Sequence, residues 1–145
     1  MAYLHSINMT AETKRSVGHQ LMDEAMREDA RIKMHEQFRL KKDLDLFSSY
    51  QLDWDGEGGL PLNPDAIHNF EALLPFLSSN CLLQIDLFPE NNGTLLMMWR
   101  TKEAGINIGS STYTYYQTDG NVVNGESHLP FSVDDVLEKA EMFAA

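Results

Sequence analysis

A glycine-rich turn at residues 52–61, Leu-Asp-Trp-Asp-Gly-Glu-Gly-Gly-Leu-Pro, most constrains how this chain can fold. Gly56 and Gly58 can adopt positive φ angles, and Pro61 favours an extended backbone after them. The turn separates two patterns. The chain before it has the composition of a helix, and the chain after it has short alternating segments typical of strands. This division predicts an α+β protein.

The segment before the turn, residues 1–47, is predicted to be an N-terminal helical arm. From Ala11 to Phe47 it contains no proline and one glycine, Gly18, which is a composition that favours helix. Its apolar side chains fall on several faces instead of forming one stripe. We therefore expect either a break near residues 30–36 or one long helix that meets different neighbours along its length.

The arm would suit homodimerisation or the binding of a partner, because an amphipathic helix that extends beyond its own domain presents an apolar face. Methionine fits such a surface because its side chain is flexible and adaptable. The alternative is that the same side chains pack on the sheet of this chain. The candidate interaction residues on the arm are Met22, Met26, Met34 and Phe38.

The segment after the turn, residues 48–145, is predicted to be an α+β domain with an antiparallel sheet. Asn63 followed by Pro64 marks the start of a helix. The Asn-Asn-Gly sequence at 91–93 is a hairpin turn, and Ser132 caps a final helix. Apolar residues alternate between the turns, so the predicted order is one helix, a meander of about four strands and a C-terminal helix.

Charge is divided unevenly along the chain. Residues 1–43 carry eight Lys and Arg against seven Asp and Glu, and residues 44–145 carry three against fifteen, giving +1 and −12 for a net charge of −11. An acidic body favours a partner protein with a basic surface, and it disfavours direct contact with nucleic acid or an anionic membrane. The alternative is that the charge serves only solubility.

Cysteine usage and the amino terminus predict a cytoplasmic protein. Cys81 is the only cysteine, so no internal disulfide can form, and the first residues lack the pattern of a signal peptide. Cys81 is expected to open an apolar strand, where a lone thiol usually serves packing. A nucleophilic pair of this thiol with a distant histidine is the alternative.

Asp53, Asp55 and Glu57 alternate along the turn and partly imitate a calcium-binding loop, which needs oxygen ligands and a glycine bend. The imitation fails at Pro64, which stands where such a loop needs a bidentate glutamate. The other interpretation is a structural turn, in which Asp55 accepts bonds from backbone amides and Trp54 anchors the loop in the core. We predict no cofactor and no catalytic residue from these motifs.

Tyr113, Tyr115 and Tyr116 make the predicted meander aromatic. Aromatic sheets can stack nucleic-acid bases, but such sites also need a basic groove, and only Arg100 and Lys102 are near in sequence. Tyrosine is enriched where proteins meet. We therefore expect exposed tyrosines that suit a protein interface.

The turn also carries a family resemblance. It resembles a largely uncharacterised group of small bacterial and phage proteins whose usual motif is Trp-Asp-Gly-x-Gly-Ala-x-Pro, and the likeness covers residues 47–131 approximately. Gly59 stands where alanine is common. The resemblance implies antitoxin, immunity or host-system inhibitor roles and implies no catalytic residue. The motif residues in this chain are Trp54, Asp55, Gly56, Gly58 and Pro61.

Charge, missing catalytic motifs and the resemblance together predict an acidic protein-binding inhibitor. It would be an antitoxin, an immunity protein or a phage-encoded blocker of a bacterial defence complex, such as an anti-CRISPR. It would act by occluding a basic surface of its partner. The alternative function is a small metal-dependent enzyme that uses the loop with Asp53, Asp55 and Glu57.

Overall fold

The computed structural model describes residues 11–145, with side chains from Val17 onward. Predictions for the first ten residues of the arm lie outside this range. Within it, four α-helices and a five-stranded antiparallel sheet confirm the α+β class. The predicted count of about four strands is one short.

The elements follow one another with short connections. The helices are α1 (Ala11–Ser48), α2 (Pro64–Leu73), α3 (Ser79–Gln84) and α4 (Val133–Ala144), with a 3₁₀ turn at Leu74–Phe76. The strands are β1 (Ile85–Pro89), β2 (Leu95–Trp99), β3 (Ala104–Ile108), β4 (Thr112–Asp119) and β5 (Val122–Pro130). Each strand is antiparallel to the next in chain order, so the sheet is a simple meander.

The chain divides into two compact units, Met1–Ile32 and Lys33–Ala145. In the first, the described residues form the amino-terminal part of α1, and every side chain from Val17 to Arg31 is exposed. Although α1 runs for 38 residues, neither it nor any other described helix is both long and apolar enough to cross a membrane.

The second unit begins inside the predicted arm. Leu40 and Leu44 of α1 are buried in the core of this unit, so the division falls at residue 32 and not at residue 47. α1 is continuous, which excludes the expected break near residues 30–36 and agrees with the alternative of one long helix.

The core lies against one face of the sheet. Leu95, Met97 and Trp99 alternate along β2 and are buried, whereas Met98 on the opposite face is exposed. Trp99 meets Phe143 of α4 edge to face, with ring centroids 5.2 Å apart. Large apolar side chains on one face of the first four strands therefore hold the helices on that side.

Sequence signals at the helix ends are confirmed. The Oδ1 atom of Asn63 accepts a hydrogen bond from the amide of Asp65 at 2.8 Å, with Pro64 at the first helical position. The hydroxyl of Ser132 likewise accepts from the amide of Asp135 at 3.3 Å. Both caps satisfy amides that the first helical turn leaves without partners.

The segment before β1 differs from the prediction. Cys81 lies in helix α3 and not at the start of a strand, and β1 begins at Ile85. Ser78 caps this short helix, because its hydroxyl accepts from the amide of Cys81 at 3.1 Å. The carboxylate of Glu141 in turn accepts from the Ser78 amide at 3.0 Å, which ties the cap to α4. This tertiary contact overrides the alternating apolar pattern.

Candidate interaction surfaces

The glycine-rich turn is a closed loop held by its own amides. Gly56 and Gly58 have φ angles of 75° and 80°, and Asp53 also has a positive φ, of 63°. The Asp53 amide donates to the carbonyl of Gly59 at 2.7 Å, and the Gly58 amide donates to Asp53 Oδ1 at 2.6 Å. The sharp bend predicted at this stretch is therefore present.

Asp55 occupies the centre of the loop. Its Oδ1 atom accepts from the amides of Glu57 and Gly59, at 2.9 and 2.8 Å. These amide bonds favour the charged carboxylate and lower the pKa of Asp55 below its ordinary value of 3.8. A Cβ at Gly59 would lie 2.7 Å from Asp55 Oδ1, so the alanine of the resembled motif would force this packing to shift.

Trp54 has a different role from the one predicted. Its indole is half-buried and stacks on Tyr50, with ring centroids 5.3 Å apart, and Nε1 donates to the carbonyl of Leu60 at 2.9 Å. The indole therefore closes the loop and lies outside the buried core cluster. The expectation that it anchors the loop in the core is wrong, because its polar edge is used by the loop itself.

The loop rests on the hairpin between β1 and β2. The amide of Leu60 donates to the carbonyl of Asn91, and the amide of Asn63 donates to the carbonyl of Gly93, each at 2.8 Å. Gly93 has a φ angle of 85°, and a Cβ there would lie 3.0 Å from the carbonyl oxygen of Pro61. This docking fixes where helix α2 begins.

Two of the three proposed metal ligands accept hydrogen bonds from backbone amides of the loop. Asp53 and Asp55 each use Oδ1 to accept loop amides, and Glu57 is exposed. Within residues 17–145, no group of three or more histidine, cysteine, aspartate or glutamate side chains is placed to hold a metal ion. The geometry supports the structural interpretation of this turn, in which the carboxylates satisfy backbone amides.

Cys81 is buried between α3 and α4. Its Sγ atom lies 3.8 Å from the carbonyl oxygen of Ala140. Burial, followed by the negative charge of Glu141, raises the pKa of the Cys81 thiol to about 12. Because the thiolate is the reactive form, this geometry suits packing and disfavours nucleophilic chemistry.

The interaction residues predicted on the arm are on the surface. Met22 and Met26 of the first unit are 64% and 66% exposed, and Met34 and Phe38 of the second unit are 69% and 68% exposed. They therefore do not form the packed core that was the alternative. Their role in an interface stays a prediction.

The three tyrosines do not form one surface. Tyr113 is 4% exposed and belongs to the core, so its assignment to an interface is wrong. Alternation along β4 places Tyr113 and Tyr115 on the core face and Tyr116 on the outer face. Tyr115 and Tyr116 are each half-buried.

Tyr116 lies on the outer face of the sheet over Gly105. Gly105 lies inside β3, and a Cβ there would come within 2.7 Å of the ring atom Cε1 of Tyr116, so a larger residue would displace the ring. Together with Phe88 and Met98, the ring lines a shallow groove of about 450 Å³. Burial, and then the charge of Glu90, raises the pKa of Tyr116.

One end of this groove carries an ion-pair network. Asp86 accepts from Arg100 Nε at 2.9 Å and from Arg39 Nη1 at 3.2 Å. Arg39 also donates to the carbonyls of Leu82 and Ile85, at 3.1 and 2.9 Å. The two arginines thus connect α1, α3 and β1 through hydrogen bonds and ion pairs. They leave little unpaired positive charge at the groove.

Tyr115, on the core face of β4, contacts one carboxylate and one cation. The hydroxyl of Tyr115 donates to Glu126 Oε1 of β5 at 3.1 Å, and Lys139 Nζ of α4 lies 4.4 Å from the centroid of the Tyr115 ring. The pKa of Tyr113 is raised, mainly by burial. Smaller contributions come from the charges of Asp135, Tyr115, Glu126 and Glu138. The acidic face is defined here as Glu126, Asp135 and Glu138.

Positive charge in residues 44–145 is fully engaged within the molecule. Arg100 pairs with Asp86, and Lys102 Nζ donates to the carbonyl oxygens of Phe143 and Ala145, at 2.5 and 2.6 Å. Lys139 lies over Tyr115. Of the fifteen carboxylates in this range, Asp86 alone forms a salt bridge, and every one of these residues is described. The free charge of this range is therefore negative.

The contacts of Asp86, Glu126 and Lys139 were not predicted from the sequence. The sequence did contain one indication, because only three lysines and arginines follow residue 43. Each of these three could have been expected to pair with a group of the same chain. Their partners lie on strands and helices that are distant in sequence, so the pairs cannot be identified from the sequence alone.

Comparisons of the chain with models of protein families, with curated proteins and with solved structures found no match. The resemblance to the Trp-Asp-Gly group therefore stays a prediction.

Proposed function

We propose that this chain is an acidic protein-binding inhibitor that occludes a basic surface of its partner. The observation that carries the proposal is the free negative charge of residues 44–145. Fourteen of their fifteen carboxylates form no salt bridge, while Arg100, Lys102 and Lys139 are each held by internal partners. Such a surface attracts a basic partner and repels nucleic acid.

The charge acts at two ranges. At a distance, a field of one sign steers a basic partner and speeds association. In contact, exposed carboxylates such as Glu126, Asp135 and Glu138 accept charge-assisted hydrogen bonds from arginine and lysine of the partner. A protein that normally handles nucleic acid presents such residues, so its working surface would be blocked. Toxins and nucleic-acid-guided defence complexes are partners of this kind.

The arm supplies the apolar part of the interface in this proposal. Met22 and Met26 are exposed, and a helix whose side chains are all exposed gains stability when a partner covers it. That partner is the inhibited protein or a second copy of this chain. Positive and negative residues are closely mixed along the arm. Its charge therefore repels neither the inhibited protein nor a second copy of this chain.

Affinity capture from a bacterial lysate tests the proposal. The tagged wild-type chain is compared with the variant Glu126→Gln/Asp135→Asn/Glu138→Gln at about 50 and 300 mM salt. We expect the wild type to retain a basic protein in a one-to-one ratio at low salt, and the variant to retain far less of it.

A matched control removes the same charge elsewhere. The variant Asp45→Asn/Glu71→Gln/Glu103→Gln changes three exposed carboxylates outside the acidic face and should retain the partner. The proposal is wrong if the wild type retains no protein at either salt concentration, or if the retained protein is acidic.

A further inference from the structure

We propose that β5 binds a basic, extended segment of the partner protein as a sixth strand of the sheet. This inference rests on the proposed function and names the place and the mode of docking. It is carried by three features of the second unit: a free strand edge, the direction of its backbone groups, and the charge beside it.

β5 is the free edge of the sheet on the carboxyl-terminal side. Strand order ends at β5, and among residues 11–145 no strand pairs with its outer edge. Residues 122–128 are exposed on both faces, with Val122 at 58% and Val123 at 66%. A nine-residue edge with exposed valines is a template for strand addition.

The backbone of Val123 faces the open edge. Gly120 and Asn121 form a two-residue hairpin turn, with a φ angle of 62° at Gly120. Thr118, which lies opposite Val123, donates its amide to the carbonyl of Glu103 at 2.7 Å and therefore faces away from β5. Residues along an antiparallel strand alternate between bonding their neighbour and facing away. Val123 therefore presents its amide and its carbonyl to an added strand.

A bulge limits the length of the free edge. The register between β4 and β5 shifts between Tyr113 and Tyr115, and His128 has a positive φ of 57°. Bulges bend and twist an edge strand and end its regular pairing. The added segment is therefore expected to pair with residues 122–126.

Charge selects the occupant. Glu126 lies on β5 itself and is exposed, and Asp135 and Glu138 are exposed on α4. The nearby cation, Lys139, is held over the ring of Tyr115. A second copy would bring an equally acidic edge to this one, and like charges across paired strands are destabilising. A segment rich in lysine or arginine instead gains both backbone hydrogen bonds and charge pairing.

The test uses a fluorescent eight-residue peptide of alternating Lys and Thr, blocked at both ends, and measures its anisotropy on binding to the full chain. Val123→Pro removes the outward amide, and proline is tolerated at strand edges where no ladder bond is lost. Val123→Ala is the matched control, because it shortens the side chain and keeps the amide. We expect Val123→Ala to bind like the wild type and Val123→Pro to bind at least about tenfold more weakly.

A second measurement uses the wild-type protein and changes the peptide. Two versions of the peptide carry N-methyl groups on one or the other set of alternate residues, so that each blocks a single edge of the added strand. We expect one version to lose binding and the other to keep it. Equal binding of both versions, equal binding of Val123→Pro and Val123→Ala, or no binding of the peptide to the wild type at low salt would each overturn the inference.

The two proposals fail in different ways. If Val123→Pro binds the peptide normally but Glu126→Gln/Asp135→Asn/Glu138→Gln does not, strand addition is wrong and the charge-based function stands. If the peptide binds through β5 but the wild type captures no basic protein from lysate, strand addition stands and the inhibitor function is wrong.

Discussion

Lys139 and Tyr115 form a cation–π pair, with the Nζ atom 4.4 Å from the ring centroid. The hydroxyl of the same tyrosine donates to Glu126 Oε1 at 3.1 Å. The ring thus holds a cation on its face and a carboxylate at its edge. Because Lys139 is placed over the ring, its charge is held within the second unit.

Lys139→Met should strengthen the binding of a basic peptide and weaken the fold slightly. The substitution removes a positive charge beside the acidic face, so the affinity for the Lys-Thr peptide should rise by about two- to tenfold at low salt. Loss of the cation–π contact should lower the free energy of unfolding by about 0.5–1 kcal/mol. Anisotropy titration and urea denaturation measure the two effects. Lys139→Arg keeps both charge and stacking and should change neither. Unchanged peptide affinity in Lys139→Met would contradict the assignment of the acidic face.

Gly105→Ala should displace the ring of Tyr116. The new Cβ would lie 2.7 Å from the ring atom Cε1, and such overpacking lowers the free energy of unfolding by about 1–3 kcal/mol. Adding Tyr116→Ala removes the clash, so the double variant should lose less stability than the sum of the two single variants. Urea denaturation of all four proteins gives the coupling energy. Additive losses would show that the ring does not rest on the glycine.

Asp55→Asn should flatten the acid dependence of stability. The pKa of Asp55 is lowered in the folded state from its ordinary value of 3.8 by the amides of Glu57 and Gly59. A carboxyl of this kind contributes stability that is present above its unfolded pKa and is lost as the pH falls through its folded pKa. Wild type should therefore lose more stability than Asp55→Asn between about pH 5 and pH 2. Urea denaturation across this pH range measures the free energy of unfolding of both proteins. If the free energies of the two proteins fall in parallel with pH, the amide contacts of Asp55 are contradicted.

The helix caps and the first hairpin were predictable because each depends on neighbours in sequence. Asn63, Ser132 and the turn at 91–93 bond amides within three residues of themselves, so local chemistry decides their structure. The alternation of Leu95, Met97 and Trp99 likewise identified the core face of β2, since burial on one face of a strand has a period of two.

The features that differ from the sequence-based prediction depend on distant partners. β5 shows no apolar alternation, because residues 122–128 are exposed on both faces and the strand is held by its pairing with β4. Helix α3 depends on Glu141, which binds its capping serine from α4. Tyr113 is buried because the core closes over β4 at that position. These three features therefore cannot be predicted from the local sequence pattern.

Divalent metal ions should leave the melting temperature unchanged. Asp53 and Asp55 already use Oδ1 to accept loop amides, so a metal would have to compete with these bonds. Thermal melting with calcium, magnesium or zinc, and with a chelator, measures the effect. A ligand that binds only the folded state raises its stability by mass action. A metal-dependent rise that Asp53→Asn/Glu57→Gln abolishes would favour the small metal-dependent enzyme instead.

Mapping of the peptide-binding site by nuclear magnetic resonance shows directly whether a basic segment binds at β5. The ¹⁵N-labelled chain is titrated with the alternating Lys-Thr peptide, and the amide shifts and their hydrogen exchange are followed residue by residue. We expect shifts confined to β5 and the first turns of α4, with slowed exchange at the Val123 amide. Shifts spread evenly over all exposed carboxylates, or centred on the groove at Phe88, Met98 and Tyr116, would contradict it.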